Sequence, residues 1–210
     1  MNSPTTVFTT VLTWLFVTFI NSEFTEVEYL PKIYIMLAHT DSLVMKTIRF
    51  YTHAKYNHVS ICVDERMEYF YSFGRRYIRF PLIGGFIREE LNKGVYLYFK
   101  NASCCIYSLD VSEEKYNVIV ELIKCYGNNR YKYHYNFAAL LGIMINKPLK
   151  MKNRYTCSEF AATLLSTASI YTFNKDASLV VPDNFKSIPG LSKLYEGPMV
   201  NFQTGTVLQF

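Results

Sequence analysis

From His58 to Val63 the side chains alternate. His58, Ser60 and Cys62 are small or polar, while Val59, Ile61 and Val63 are aliphatic. Successive side chains of a strand point to opposite faces, so this stretch reads as a strand with one aliphatic and one polar face. The aliphatic face anchors it against a second layer, and its neighbours read as the rest of a sheet. Lys32–Ala38 (KIYIMLA) is a buried strand, followed by a connection through His39, Thr40 and Asp41. Glu68–Phe73 is a strand that follows a turn at Asp64–Arg66. Val95–Phe99 and Cys104–Leu109 read as two more strands. Ile83–Gly94 carries two adjacent glycines and reads as a loop.

Helical spacing marks the other layer. Leu43, Val44, Ile48 and Tyr51 recur with helical period over Ser42–Tyr51. Asp110–Gly127 has an apolar stripe of Tyr116, Ile119, Val120 and Ile123, with Gly127 as its stop. Asn136–Ile145 is an apolar helix that ends before Pro148. Pro182–Ile188 is at most a short helix with Pro at its first position. No internal repeat or low-complexity segment breaks the 210 residues. The order of strand, helix, several antiparallel-type strands and then helices predicts an α+β fold.

One helix start carries chemistry. In RYTCSEFAATLL (Arg154–Leu165), Thr156 and Glu159 have the spacing of a capping box, in which each side chain satisfies the other's backbone N–H. Cys157 is then the first residue inside the helix, in line with Ala161 and Leu165. Cysteine is commonly a buried packing residue. At a helix N-terminus, however, unpaired N–H groups and a partial positive charge favour the thiolate. An ordinary thiol is only about 3% ionised at pH 7, and such surroundings with an imidazolium lower its pKa to roughly 3.5–7.5. The same N–H groups suit an oxyanion, an effect worth about 3 kcal/mol per donor.

A nucleophilic cysteine needs a base. His58, at a strand start on the polar face, is the first candidate, and His39 is its rival. His53 and His134 sit in tyrosine- and lysine-rich surroundings and read as surface residues. A third group usually orients the base. An odd-length turn after Val63 puts Ser72 opposite His58, and an even one puts Tyr71 or Phe73 there. Glu68 shares the Ser72 face but lies nearer the turn.

Composition bounds the partners. The net charge of +5 is too small to argue nucleic-acid binding without a clustered patch. Lys147, Lys150, Lys152 and Arg154 read as a solvated loop, with an anionic substrate or lipid surface as the alternative. The five cysteines have no paired metal-ligand spacing, and no histidine falls in a metal motif, so neither a metal nor an organic cofactor is expected. Cys104 and Cys105 are adjacent in a strand and so face opposite ways. Free thiols favour a reducing, cytoplasmic compartment. Against this stands Val7–Ile20, largely apolar, with four threonines and three valines. It is short for a bilayer span and lacks basic residues before it. It reads as a signal core, a peripheral membrane contact through residues 7–20, an extra strand or an unpacked extension.

NHVSI (Asn57–Ile61), EYFYSFGR (Glu68–Arg75) and YTCSEFAATLL (Tyr155–Leu165) together resemble the circularly permuted NlpC-type papain-like cysteine hydrolases, above all the YiiX-like branch. The lecithin:retinol acyltransferase-like proteins are more distant. His58 precedes Cys157, the permuted order. The resemblance covers residues 31–196, leaving 1–30 as an N-terminal extension and 197–210 as a tail. It implies a papain-like core with the Cys helix packed on an antiparallel sheet, Cys157 as nucleophile and His58 as base. The third polar position best matches Ser72, and a serine there departs from the family pattern. The implied function is a hydrolase or acyltransferase acting on an amide or ester, such as a cell-wall peptide or a lipid, through a thioester. The alternative is a catalytically weak papain-like module that binds a partner or a membrane.

Overall fold

The structure is a computed structural model that describes residues 29–40, 55–77, 80–91, 93, 95–99 and 101–202. The apolar segment 7–20, the helix expected over 42–51 and His53 lie outside the described residues. The fold is α+β. Eight strands are described: β1 (Lys32–His39), β2 (His58–Cys62), β3 (Phe70–Tyr77), β4 (Phe80–Glu89), β5 (Ser103–Asp110), β6 (His134–Tyr135), β7 (Arg154–Tyr155) and β8 (Ser192–Pro198). The described α-helices are α1 (Val95–Tyr98), α2 (Glu113–Asn128), α3 (Phe137–Met144) and α4 (Cys157–Thr167).

Six strands form one antiparallel sheet in the order β4-β3-β2-β1-β5-β8. β1 is central, and both its faces are covered. Ile33, Ile35 and Leu37 join Val59, Ile61 and Cys105 in a core completed by Phe160, Ala161, Leu164 and Leu165 of α4 and by Ile119 and Ile123 of α2. Tyr34, Met36 and Ala38 pack on the other side with Cys62, Phe70, Cys104 and Ile106, under Tyr96, Met199 and Phe202. A strand buried on both faces reads as a continuous apolar run, which is what KIYIMLA is. Cys104 and Cys105 fall in the two separate cores, as their adjacency requires.

Rings lock α4 to the sheet. Phe73 of β3 lies 5.1 Å from the Phe160 ring and 5.2 Å from that of Tyr155, and Tyr126 lies 5.1 Å from Phe160. Such pairs contribute roughly 0.5–1.5 kcal/mol each beyond their burial. The N-terminus of α4 is thereby fixed against β2 and β3.

Three expectations change. The loop read over Ile83–Gly94 is largely strand, because β4 continues to Glu89. Its glycines serve close packing. A Cβ on Gly84 would lie 2.8 Å from Tyr135 Cβ and 2.9 Å from the Gly74 carbonyl oxygen, and one on Gly85 would overlap the Arg76 guanidinium and the Tyr133 carbonyl. Val95–Phe99, read as a strand, holds the single helical turn α1. Its β-formers yield to their position over the second core, where Tyr96 is buried. The tail expected from residue 197 starts inside β8, and the chain beyond it buries Met199 and Phe202.

Candidate active site

The capping box forms as the sequence predicts. Thr156 Oγ1 accepts from the Glu159 N–H at 3.0 Å, and Glu159 Oε2 accepts from the Thr156 N–H at 3.3 Å. Cys157 is therefore the first residue of α4. Its own N–H is one that an α-helix leaves without an intrahelical partner. The side chain is only 3% exposed.

His58 opens β2 and is nearly buried. Its Nε2 faces the Glu89 carboxylate, 3.0 Å from Oε1 and 3.1 Å from Oε2. That leaves Nδ1 for the thiol of Cys157, with which the ring interacts. Burial disfavours the imidazolium. The Glu89 charge and the thiol outweigh it and push the ring up to about 10. For Cys157, burial pushes the thiol up. The hydrogen bond and charge of His58, the Val59 main chain and the Ser158 hydroxyl bring it, on balance, below its ordinary value. The other buried cysteines move the opposite way: desolvation takes Cys62 and Cys104 up to about 12 and also raises Cys105. The arrangement suits a thiolate–imidazolium pair at Cys157 and His58 alone.

The third partner is Glu89, not Ser72. β2 and β3 pair through Ile61 and Tyr71, and residues 63–69 make an odd-length connection. Ser72 therefore does share a face with His58. Carried along the strands, however, that register sets Ser72 level with Ser60 and Gly74 level with His58. Ser72 is fully buried and donates its hydroxyl to the Val59 carbonyl at 2.6 Å. Glu68 lies at the surface beside Arg66, 3.9 Å away. Glu89 reaches the ring because β4 extends the sheet, pairing Phe70 with Glu89 and Ser72 with Ile87. At Gly74, level with His58, a Cβ would lie 2.6 Å from Ile87 Cδ1 and in ordinary contact with His58 Cε1 at 3.7 Å.

The rival histidines lie elsewhere. His39 Nδ1 is 3.3 Å from the Asn57 amide, which also donates to the Thr40 carbonyl and accepts from the Thr40 N–H. His134 is exposed on β6. The asparagine of NHVSI thus tethers the segment after β1 and leaves the chemistry to its neighbour.

Two tyrosines complete the site, and neither was singled out in the sequence. Tyr135 is buried at the end of β6, which runs parallel to β7 and pairs Tyr135 with Tyr155, two residues before Cys157. Burial raises its phenol well above the ordinary value, and the Cys157 sulfur, with which it interacts, adds to that. It stays a neutral phenol. Tyr96 of α1 is buried, burial and the Glu89 charge keep its phenol protonated, and its hydroxyl has no hydrogen-bond partner among the described residues. β6 and β7 are joined further by the Asn136 N–H to Tyr155 carbonyl bond at 3.0 Å, and strands of two residues carry no periodicity by which the sequence could mark Tyr135.

Among the described residues no group of three or more His, Cys, Asp or Glu side chains could hold a metal ion, and no described helix is long and apolar enough to cross a membrane. No protein-family model matches the chain, and no curated protein matches it.

Proposed function

We propose that this protein is a cysteine-dependent hydrolase or acyltransferase of the permuted papain-like kind, acting on an amide or ester through a thioester. The observation that carries the reading is the relay Glu89–His58–Cys157, with the thiol at a helix N-terminus and the imidazole clamped by a carboxylate. The thiolate attacks the carbonyl carbon and forms the C–S bond. The oxygen that becomes negative is met by the Cys157 N–H and the Tyr135 hydroxyl. The bond to the leaving group breaks as His58 gives that group its proton, producing the thioester and a neutral imidazole. His58 then takes a proton from water, or from an acceptor amine or alcohol, as that oxygen or nitrogen attacks the thioester. The acyl product departs and the thiolate–imidazolium pair is restored.

Alkylation by iodoacetamide near pH 6, read residue by residue by mass spectrometry, tests the reading. Cys157 is expected to react faster than Cys125, which is exposed. His58→Ala is expected to abolish that advantage. Mass spectrometry after mixing with an activated ester should find one acyl group on Cys157. If Cys157 reacts no faster than a small reference thiol, and His58→Ala leaves its rate unchanged, the reading fails.

A further inference from the structure

A second site lies on the outer side of β4. The edge strand, the C-terminal end of α2 and the turn after it enclose a groove of about 680 Å³. Among the described residues, Arg76, Arg88, Lys124 and Arg130 line it together with Tyr77 and Tyr131, and no carboxylate does. Neither Cys157 nor His58 reaches it. The volume falls in the range of small-molecule sites.

The arginines are held by neutral partners. One Arg76 nitrogen, Nη2, donates to the backbone carbonyls of Arg130 and Tyr133, the latter at 2.8 Å, and its Nε is buried without a partner among the described residues. Arg130 donates to the Tyr131 hydroxyl at 2.7 Å, and its guanidinium lies 4.8 Å from that ring. Arg88 sits 4.3 Å from the ring of Tyr69. Among the described residues, only Lys124 of these four has an ion-pair partner, the exposed Glu121 at 2.8 Å. These contacts orient three guanidinium groups and leave their charge unneutralised. Planar guanidinium forks match the oxygens of a phosphate two at a time. Tyr77 and Tyr131 are 57% and 71% exposed, so ring surface stands open beside the cations, with Arg130 and Arg76 lying over the Tyr131 ring at 4.8 and 5.6 Å.

We propose that this groove binds a small phosphorylated ligand that carries a planar ring, a nucleotide by chemical class. The phosphates lie on Arg88, Arg130 and Lys124, and the ring lies on an exposed tyrosine. Arg76 shapes the wall by fixing the turn after α2.

Calorimetric titration of the full chain with ADP, inorganic pyrophosphate, adenosine, a poly-glutamate peptide and a single-stranded oligonucleotide tests this. ADP is expected to bind best, pyrophosphate more weakly, and adenosine hardly at all. Raising salt should weaken the ADP isotherm. Arg88→Gln and Arg130→Gln should each weaken ADP about tenfold, the scale of one charge-assisted contact, while Tyr131→Ala should bring ADP down to the level of pyrophosphate. Cys157→Ala should leave the ADP isotherm unmoved while abolishing acylation, so the two readings are tested separately. Both arginine variants are read beside a thermal melt, and Lys124→Gln, at an exposed position, supplies a third variant that keeps the fold. Absence of ADP and pyrophosphate binding overturns the proposal. So does binding that the three variants leave intact, and so does a preference for the peptide or the oligonucleotide over ADP.

Discussion

Both carboxylate oxygens of Glu89 stand within hydrogen-bonding distance of a single imidazole nitrogen, Nε2 of His58, at 3.0 and 3.1 Å. Each of the two side chains is only 11% exposed. In such surroundings the carboxylate both aims the ring and favours its protonated form. Glu89→Gln keeps the shape and removes the charge. It is expected to slow acylation of Cys157 by roughly 10²–10⁴-fold, the usual range for a disabled acid–base group. NMR titration of His58 should show its pKa falling from the raised value. A Glu89→Gln protein with the full single-turnover rate would return Glu89 to a packing role.

The two shifts set a pH window. Cys157 lies below its ordinary 9.0, so thiolate, and with it the alkylation rate, is lost as pH falls through the lowered value. His58 lies at about 10, so leaving-group protonation is lost as pH rises through 10. Acylation should therefore hold across neutral pH and decline on both sides. Stability follows the same signs. The His58 contribution is complete below the unfolded-state value of about 6.5 and vanishes as pH rises through about 10. The Cys157 contribution is present above the unfolded thiol value and is lost as pH falls through the folded one. Melting curves of wild type and His58→Gln from pH 6 to 10.5 should converge toward the alkaline end. Parallel curves would contradict the raised imidazole.

Cys157 and His58 were legible as a pair because each sits in a local pattern. A capping box fixes Cys157 at a helix start, and strict alternation fixes His58 on a strand. Glu89 was hidden by the glycines before it. Gly84 and Gly85 read as loop punctuation, whereas they mark where β4 passes close to Tyr135, Arg76 and the Tyr133 carbonyl. A glycine inside a strand signals close backbone approach as readily as a turn. Glycine identity alone does not distinguish the two, because the distinction depends on what packs against the strand from elsewhere in the chain. The turn VYLY went astray for a related reason. VYLY, three of whose four residues favour strands, forms a helical turn that buries Tyr96 in the second core. Parity placed Ser72 on the right face, but parity gives no distance along the strand.

Ser72 separates these assignments. Its hydroxyl serves the Val59 carbonyl inside the sheet. Ser72→Ala should cost about 1 kcal/mol of stability, the net worth of one neutral hydrogen bond, while acylation stays within a few-fold of wild type. Denaturant unfolding beside a single-turnover assay measures both. A folded Ser72→Ala protein with no acylation would restore serine as the third member of the relay.

Gly74 tests the space beside the ring. A Cβ there would stand 2.6 Å from Ile87 Cδ1 and 3.7 Å from His58 Cε1. Alanine displaces only the mobile end of an isoleucine, so Gly74→Ala should remain folded and active. Valine adds branches at the imidazole and should cost about 1–3 kcal/mol through overpacking. Its acylation rate should fall more than its melting temperature explains. Equal rates for the alanine and valine variants would show that the imidazole tolerates intrusion here.

Thr156 links helix capping to reactivity. Its hydroxyl takes the Glu159 N–H, and its own N–H is held by the Glu159 carboxylate, so the pair pins the turn that carries Cys157. Removing the hydroxyl should cost about 1 kcal/mol, the usual worth of an N-cap. The chemical effect should exceed that figure. A frayed first turn no longer holds its N–H groups and partial charge at the sulfur. The thiol should then titrate higher in Thr156→Ala, seen as a shift of the alkylation rate curve toward alkaline pH. Thr156→Ser restores an oxygen at the same place and should restore both stability and curve. If alanine costs stability yet leaves the curve unmoved, the cap serves the fold only, and His58 alone activates the thiol.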